Sequence, residues 1–276
     1  MRESGILMHI TSLPAPYGIG TMGKDAYAFV DFLVRAGQRY WQILPLTPTG
    51  YGDSPYQSLG ACAGNHYLID LDRLADEGLL KKEEIQNIPW GSNPARVDFG
   101  AMYAHRMNVL RQAFQRFTPD GAYETFVEQN RSWLEDYALF TALKDTLGGK
   151  PWLEWPEAMR LRKADALTEK RRELSDESRR QYCVQYEFDR QWKALRSYAN
   201  AKGVRISGDV PIYVPLDSAD GWAKPELFQL DESRHPEQVA GCPPDSFTAD
   251  GQLWGNPIYD WKKMAQTHYF WWIQRL

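Results

Sequence analysis

Several stretches of this sequence carry residues whose types and spacing could do chemistry, and most fail on spacing. Gly18-Ile19-Gly20-Thr21-Met22-Gly23 has the G-x-G-x-x-G spacing that seats a dinucleotide pyrophosphate on a helix N-terminus. That chemistry needs the glycines directly after a strand, yet Thr11 to Tyr17, with Pro14 and Pro16, intervenes. It also needs an acid at the end of the second strand, where Leu44, Pro45 and Leu46 stand. A glycine-rich loop between strand and helix is the preferred reading. The five histidines, His9, His66, His105, His235 and His268, include no pair four residues apart and no H-E-x-x-H, so no metal site is expected. Cys62, Cys183 and Cys242 form no C-x-x-C and read as small hydrophobes in a reducing cytosol. No serine sits in G-x-S-x-G, so an acyl-transfer elbow has no support.

What remains are aromatic rings and carboxylates. The 276 residues include 11 Trp, 15 Tyr and 11 Phe, more rings than a core alone demands. Indole and phenol faces suit flat ligand surfaces such as sugar rings. Asp209 ends a predicted strand, where it can bond hydroxyl groups, hold a neighbour or cap the following loop. A formal net charge of -4 argues against a nucleic-acid partner. Met1 to Thr11 is too short and polar for a signal peptide, and no apolar run reaches the ~18 residues of a membrane span. A soluble cytoplasmic protein without a membrane partner is expected.

The elements that must position these groups follow from periodicity. Gly5 to Ile10 is a short apolar run, Thr11 to Gly23 a Pro- and Gly-rich loop, and Lys24 to Ala36 an amphipathic helix ended by Gly37. Tyr40 to Leu46 reads as a buried strand. Strand, helix and strand make a βαβ unit and imply a parallel sheet. Residues 70–200 read as mostly helical, with a very charged stretch from Glu157 to Arg180 that is a solvated helix or a mobile connection. The strand pattern returns at Val204 to Val214, followed by a long loop from Pro215 to Pro257 and a final helix from Trp261 to Leu276.

Three blocks carry a resemblance. The first is Thr11-Ser12-Leu13-Pro14 through Tyr17-Gly18-Ile19-Gly20. The second is Tyr40-Trp41-Gln42-Ile43-Leu44-Pro45-Leu46 with Gly50-Tyr51-Gly52-Asp53-Ser54-Pro55-Tyr56-Gln57-Ser58. The third is Gly208-Asp209-Val210-Pro211-Ile212 with Gly241-Cys242-Pro243-Pro244-Asp245 and Gly251-Gln252-Leu253-Trp254-Gly255-Asn256-Pro257. Together they resemble the amylomaltase family, glycoside hydrolase family 77, over essentially the whole chain.

The resemblance implies an α/β fold, the (β/α)8 TIM barrel with a large helical insertion, of which this chain holds the first three barrel strands. Residues 1–69 would form the first part of the barrel, 70–200 the insertion and barrel helices, and 201–276 the third strand, a cleft loop and a helix. It implies disproportionation of α-1,4-linked maltooligosaccharides by a retaining double displacement, with no cofactor. Tyr56 resembles the tyrosine that packs on a donor glucose. Asp209, Asp245, Gln252, Trp254 and Asn256 resemble substrate-binding positions, and Tyr51 and Tyr103 a pair that holds a second glucan strand. Asp53 and Ser54 read as turn residues.

The chain departs from the family at its centre. A retaining mechanism needs two carboxyl groups about 5 to 5.5 Å apart. The family's nucleophile run, of R-I-D-H-F-R type, and the acid/base that follows it do not occur in these residues. Both are expected beyond Leu276, and the isolated chain is expected to be inactive. Ser246 also stands where the family often has Tyr. An α-glucan hydrolase and a non-catalytic glucan-binding fragment remain as alternatives.

Overall fold

The computed structural model describes residues 2–50, 52–93 and 95–276. The chain is mixed α/β and divides into two compact units, each assembled from three separate segments. Unit one comprises Met1–Leu46, Gly64–Gln129 and Tyr182–Asp209. Unit two comprises Thr47–Ala63, Asn130–Gln181 and Val210–Leu276.

Unit one contains the parallel sheet. Strand β1 (Gly5–Leu7), β2 (Tyr40–Gln42) and β3 (Arg205–Ser207) lie in the order β1-β2-β3, with Leu7, Gln42 and Ser207 as register partners. The helix Lys24–Arg35 crosses from β1 to β2 and buries Ala26, Val30 and Leu33, the inward face of its amphipathic pattern. These side chains pack with Ile10, Met22, Trp41, Leu68 and Leu195. Trp41 is fully buried and its indole N–H donates to the Met8 carbonyl at 2.7 Å, so its polar edge is satisfied inside the core. The strands are shorter than the apolar runs suggest. Beyond Gln42 and Ser207 the chain turns into loops that still carry apolar residues, such as Ile43, into the core.

Buried amides brace the rest of unit one. Gln185, on the helix Ser175–Ala201, accepts from the Gly64 N–H and donates to the Gly64 carbonyl. One turn and a half further along, Gln191 does the same at Asp70. The Asp70 carboxylate caps the helix Leu71–Asp76 through the Arg73 N–H and accepts from Thr21 Oγ1 at 2.6 Å. Arg106 is wholly buried and donates to the carbonyls of Tyr67 and Ile69. Burial pulls it down to about 10, still cationic at neutral pH.

The glycines of the G-x-G-x-x-G run are explained by this packing. Gly18 has φ of 78°, in the left-handed region. A Cβ on Gly20 would lie 1.9 Å from the Ile10 carbonyl oxygen, and one on Gly23 would lie 2.0 Å from the Asp70 carboxylate. They permit the loop to close on its own chain.

Unit two has an aromatic core. Tyr137, Phe140, Trp152, Trp155 and Trp222 cluster with Met159, Leu167 and Leu174. The last three come from the charged stretch, which is helical at Glu157–Arg160 and Ala164–Glu173. Arg162 and Arg171 both donate to Asp136, at 2.8 and 3.2 Å, and the Arg162 guanidinium also lies 4.2 Å from the centroid of the buried Trp222 ring. The segment read as one long loop contains the helix Ala219–Ala223 and an antiparallel hairpin of β4 (Val239–Cys242) and β5 (Gln252–Pro257). The final helix is broken in two, Trp261–Gln266 and Phe270–Arg275, because His268 and Tyr269 both adopt positive φ. Apolar periodicity does not register that interruption.

Gly20→Ala forces its methyl against a backbone carbonyl that cannot rotate away. We expect it to destabilise the fold by about 1–3 kcal/mol, measured by urea unfolding of the variant and its parent.

Candidate functional site

Two residues past the last register partners of the parallel sheet in unit one, Leu7, Gln42 and Ser207, the chain reaches His9, Leu44 and Asp209. Asp209 therefore lies at the C-terminal ends of the strands, half-buried. His9 has a buried Nδ1 without a hydrogen-bond partner in the structure, and burial pushes its imidazole down to about 4. It is neutral at physiological pH, an uncharged donor and acceptor at the same strand ends. The available signal in the sequence was a histidine inside the apolar run Gly5 to Ile10. Tyr103 is also in unit one, exposed on the helix Phe99–Gln115, with its ring edge-on to Tyr67 at 6.3 Å. Tyr51 lies outside the described residues.

The other candidate residues belong to unit two. Tyr56 lies in a tight turn: Gln57 N–H donates to the Ser54 carbonyl, and the Tyr56 N–H donates to Ser54 Oγ. Asp53 begins that turn with φ of 60°. Ser54 thus serves the backbone, Asp53 has a buried Oδ1 without a hydrogen-bond partner, and the Tyr56 side chain is left 42% exposed. Fixing the backbone beneath a large surface ring lowers the ordering cost of contact with a ligand.

The hairpin presents a second face. On β5, Trp254 is 43% exposed, and its indole N–H donates to Gln252 Oε1 at 3.0 Å. Its ring meets Tyr213 at 6.2 Å, and Tyr213 stacks on Tyr259 at 5.8 Å with 8° between planes. Asn256, further along β5, is only 6% exposed. In the connecting loop, Asp245 Oδ1 accepts from the amides of Phe247 and Thr248, both at 2.8 Å. These bonds hold the Asp245 carboxyl below the usual carboxylate range. The same turn pushes Phe247 out to 91% exposure, a ring the sequence reading did not single out.

One carboxylate ties these faces together. Asp220 Oδ2 accepts from the Ala61 N–H at 2.7 Å, and Oδ1 accepts from the Trp271 indole at 2.9 Å. Ala61 closes the segment that bears Tyr56. Trp271 packs against Tyr259 and lies under Arg275, whose guanidinium sits 4.6 Å from both the Trp271 and Trp272 ring centroids and donates to the Pro211 carbonyl. Beside Asp220 is a small pocket of about 20 Å³, room for one water. It is lined in part by Cys62, whose thiol burial pushes up to about 12.

The family of 4-alpha-glucanotransferases, glycoside hydrolase 77, matches residues 8–276. The chain belongs to this family. It is 50% identical over 279 residues to the 4-alpha-glucanotransferase of Streptococcus pneumoniae serotype 4, and 49% identical over 281 residues to that of Thermus thermophilus; each alignment covers 100% of this chain and 55% of the relative. Among solved structures, amylomaltase from Streptococcus agalactiae in complex with acarbose superposes with a TM-score of 0.96 at 47% identity, over 100% of this chain and 56% of that one. Amylomaltase from Corynebacterium glutamicum shares the fold at a TM-score of 0.75 and 18% identity, over 99% of this chain and 38% of that one. The chain spans about half the length of the curated relatives it matches, and the N-terminal portion is the part it fits. Among the described residues no helix is long and apolar enough to cross a membrane, and no group of three or more His, Cys, Asp or Glu could hold a metal ion.

Asp245 gives a pH test of the hairpin loop. Its folded pKa is depressed, so the turn it organises is intact above the unfolded value, about 3.9, and is lost as pH falls through the folded pKa. An NMR titration of the Phe247 and Thr248 amides should show a midpoint below that unfolded value; a midpoint at or above it would mean the carboxylate does not hold the turn.

Proposed function

We propose that these residues form the sugar-binding front half of an enzyme that transfers α-1,4-glucan segments between maltooligosaccharides. The observation that carries this is the exposed Trp254 ring, locked to Gln252 and backed by the Tyr213–Tyr259 stack, in a chain of the 4-alpha-glucanotransferase family. An aromatic plate beside an amide suits a pyranose, which offers an apolar C–H face and a rim of hydroxyls. In this reading Tyr56 packs on a donor glucose, and Trp254, Gln252, Asp245 and Asn256 line the acceptor side. Asp209 bonds sugar hydroxyls at the strand ends, and Tyr51 and Tyr103 hold a second glucan strand.

The three parallel strands are, on this proposal, the first three of a (β/α)8 barrel. Residues 1–69 contribute the first two, 70–200 the helical insertion and 201–276 the third strand and cleft loop. Barrel chemistry takes place at the C-terminal ends of strands, the level that Asp209 and His9 occupy. The reaction is a retaining double displacement through a glucosyl-enzyme intermediate. It needs one carboxylate to attack the anomeric carbon and one carboxylic acid to protonate the leaving oxygen. Asp209 cannot do both, so residues 1–276 by themselves bind glucan without turning it over.

The test is incubation with maltotriose. Residues 1–276 should release no glucose above a buffer blank. In a chain extended to include the family's nucleophile and acid/base, Tyr56→Ala should lower kcat/KM at least about tenfold, equivalent to about 1.4 kcal/mol of transition-state stabilisation. Glucose and maltose with no longer product would indicate hydrolysis, and longer maltooligosaccharides with glucose indicate transfer. Turnover by residues 1–276 that vanishes in Asp209→Asn would overturn the assignment.

A further inference from the structure

At the N-terminal ends of the parallel strands, opposite Asp209, lies a concavity of about 620 Å³ that no part of the proposed reaction uses. Three arginines line it, one from the lead-in to each strand or its first residue: Arg2 before β1, Arg39 before β2 and Arg205 opening β3. One carboxylate, Glu3, faces them, 3.7 Å from Arg205. Among the described residues neither Arg2 nor Arg39 has an ion-pair partner. In a chain whose formal charge is -4, three guanidinium groups against one carboxylate make this pocket locally cationic.

Two of the arginines lie against uncharged neighbours in the pocket wall. Arg205 donates to the Tyr40 hydroxyl at 2.9 Å and its guanidinium carbon lies 5.7 Å from the Tyr40 ring centroid. The hydroxyl accepts that bond and keeps its own proton to donate. Arg39 lies across Gly203: a Cβ there would come within 3.1 Å of Arg39 Nη1. The backbone beneath is fixed as well, since Arg39 N–H donates to the Ser4 carbonyl and Arg205 N–H to the Arg39 carbonyl, both at 2.9 Å. Planar guanidinium forks match the oxygens of a phosphate.

We propose that this pocket binds a phosphate dianion, either free phosphate or the phosphoryl group of a sugar monoester, with Arg39 and Arg205 as the principal contacts. Glu3 competes with the anion for Arg205. The site lies at the end of the strands away from Asp209, so its occupant does not displace glucan. This inference is independent of the reaction proposed above.

The test is calorimetric titration of residues 1–276 at low ionic strength and about pH 8, where a phosphate monoester is a dianion. Inorganic phosphate and glucose 1-phosphate are the two probes. Saturable binding is expected, weakened about tenfold by Arg39→Ala or by Arg205→Ala and strengthened by Glu3→Gln. Arg172→Ala, on an exposed helix of unit two, should leave it unchanged. Tighter binding of glucose 1-phosphate than of inorganic phosphate identifies a sugar phosphate as the occupant, and equal binding identifies free phosphate. Absence of saturable binding by about 10 mM of either probe overturns the proposal. So does an equal loss in Arg172→Ala and Arg39→Ala, or no gain in Glu3→Gln when circular dichroism shows the variants folded.

Discussion

Asp220 divides its carboxylate between the Ala61 backbone and the Trp271 indole, two donors more than two hundred positions apart in sequence. Hydrogen bonds to a charged acceptor contribute about 1.5–3 kcal/mol each, and these two close unit two on itself. Through Ala61 they fix the end of the segment that carries Tyr56. Through Trp271 they fix the cluster of Tyr259, Trp272 and Arg275, on which Tyr213 and then Trp254 rest. On the proposed function, a surface made of rings serves a sugar only if the rings are already in place when it arrives. Here that order comes from one short acidic side chain on a five-residue helix.

Unit one relies on the same device with neutral groups. Gln185 and Gln191 each satisfy both the N–H and the carbonyl of a loop residue that has no strand partner. Short strands leave long connecting loops, and buried loop backbone must find partners somewhere. The helix Ser175–Ala201 supplies them at Gly64 and Asp70, in the connection that follows the three-residue strand β2.

The parallel sheet was legible because strand, amphipathic helix and strand alternate on a scale that periodicity resolves. The family was legible because G-Y-G-D-S-P-Y-Q-S and G-Q-L-W-G-N-P are long and unusual. The hairpin of β4 and β5 was not. Val239 to Cys242 shows no polar-apolar alternation, and the loop between the strands carries Pro243 and Pro244, which read as an irregular segment. The break at His268 and Tyr269 is set by backbone geometry that neither residue announces. Asp220, Gln185 and Gln191 were invisible for a different reason. Each acts on a backbone group far away in sequence, and no local pattern encodes a partner at that distance.

The central claim is that residues 1–276 bind α-glucan on the face built around Trp254. The most direct measurement is the indole N–H resonance of Trp254, followed by NMR in the folded chain as maltoheptaose is added. We predict a saturable shift of that resonance, with the fully buried Trp41 and Trp222 indoles unmoved. A titration in which Trp254 stays fixed while the sugar binds elsewhere, or in which no indole responds, would contradict the account.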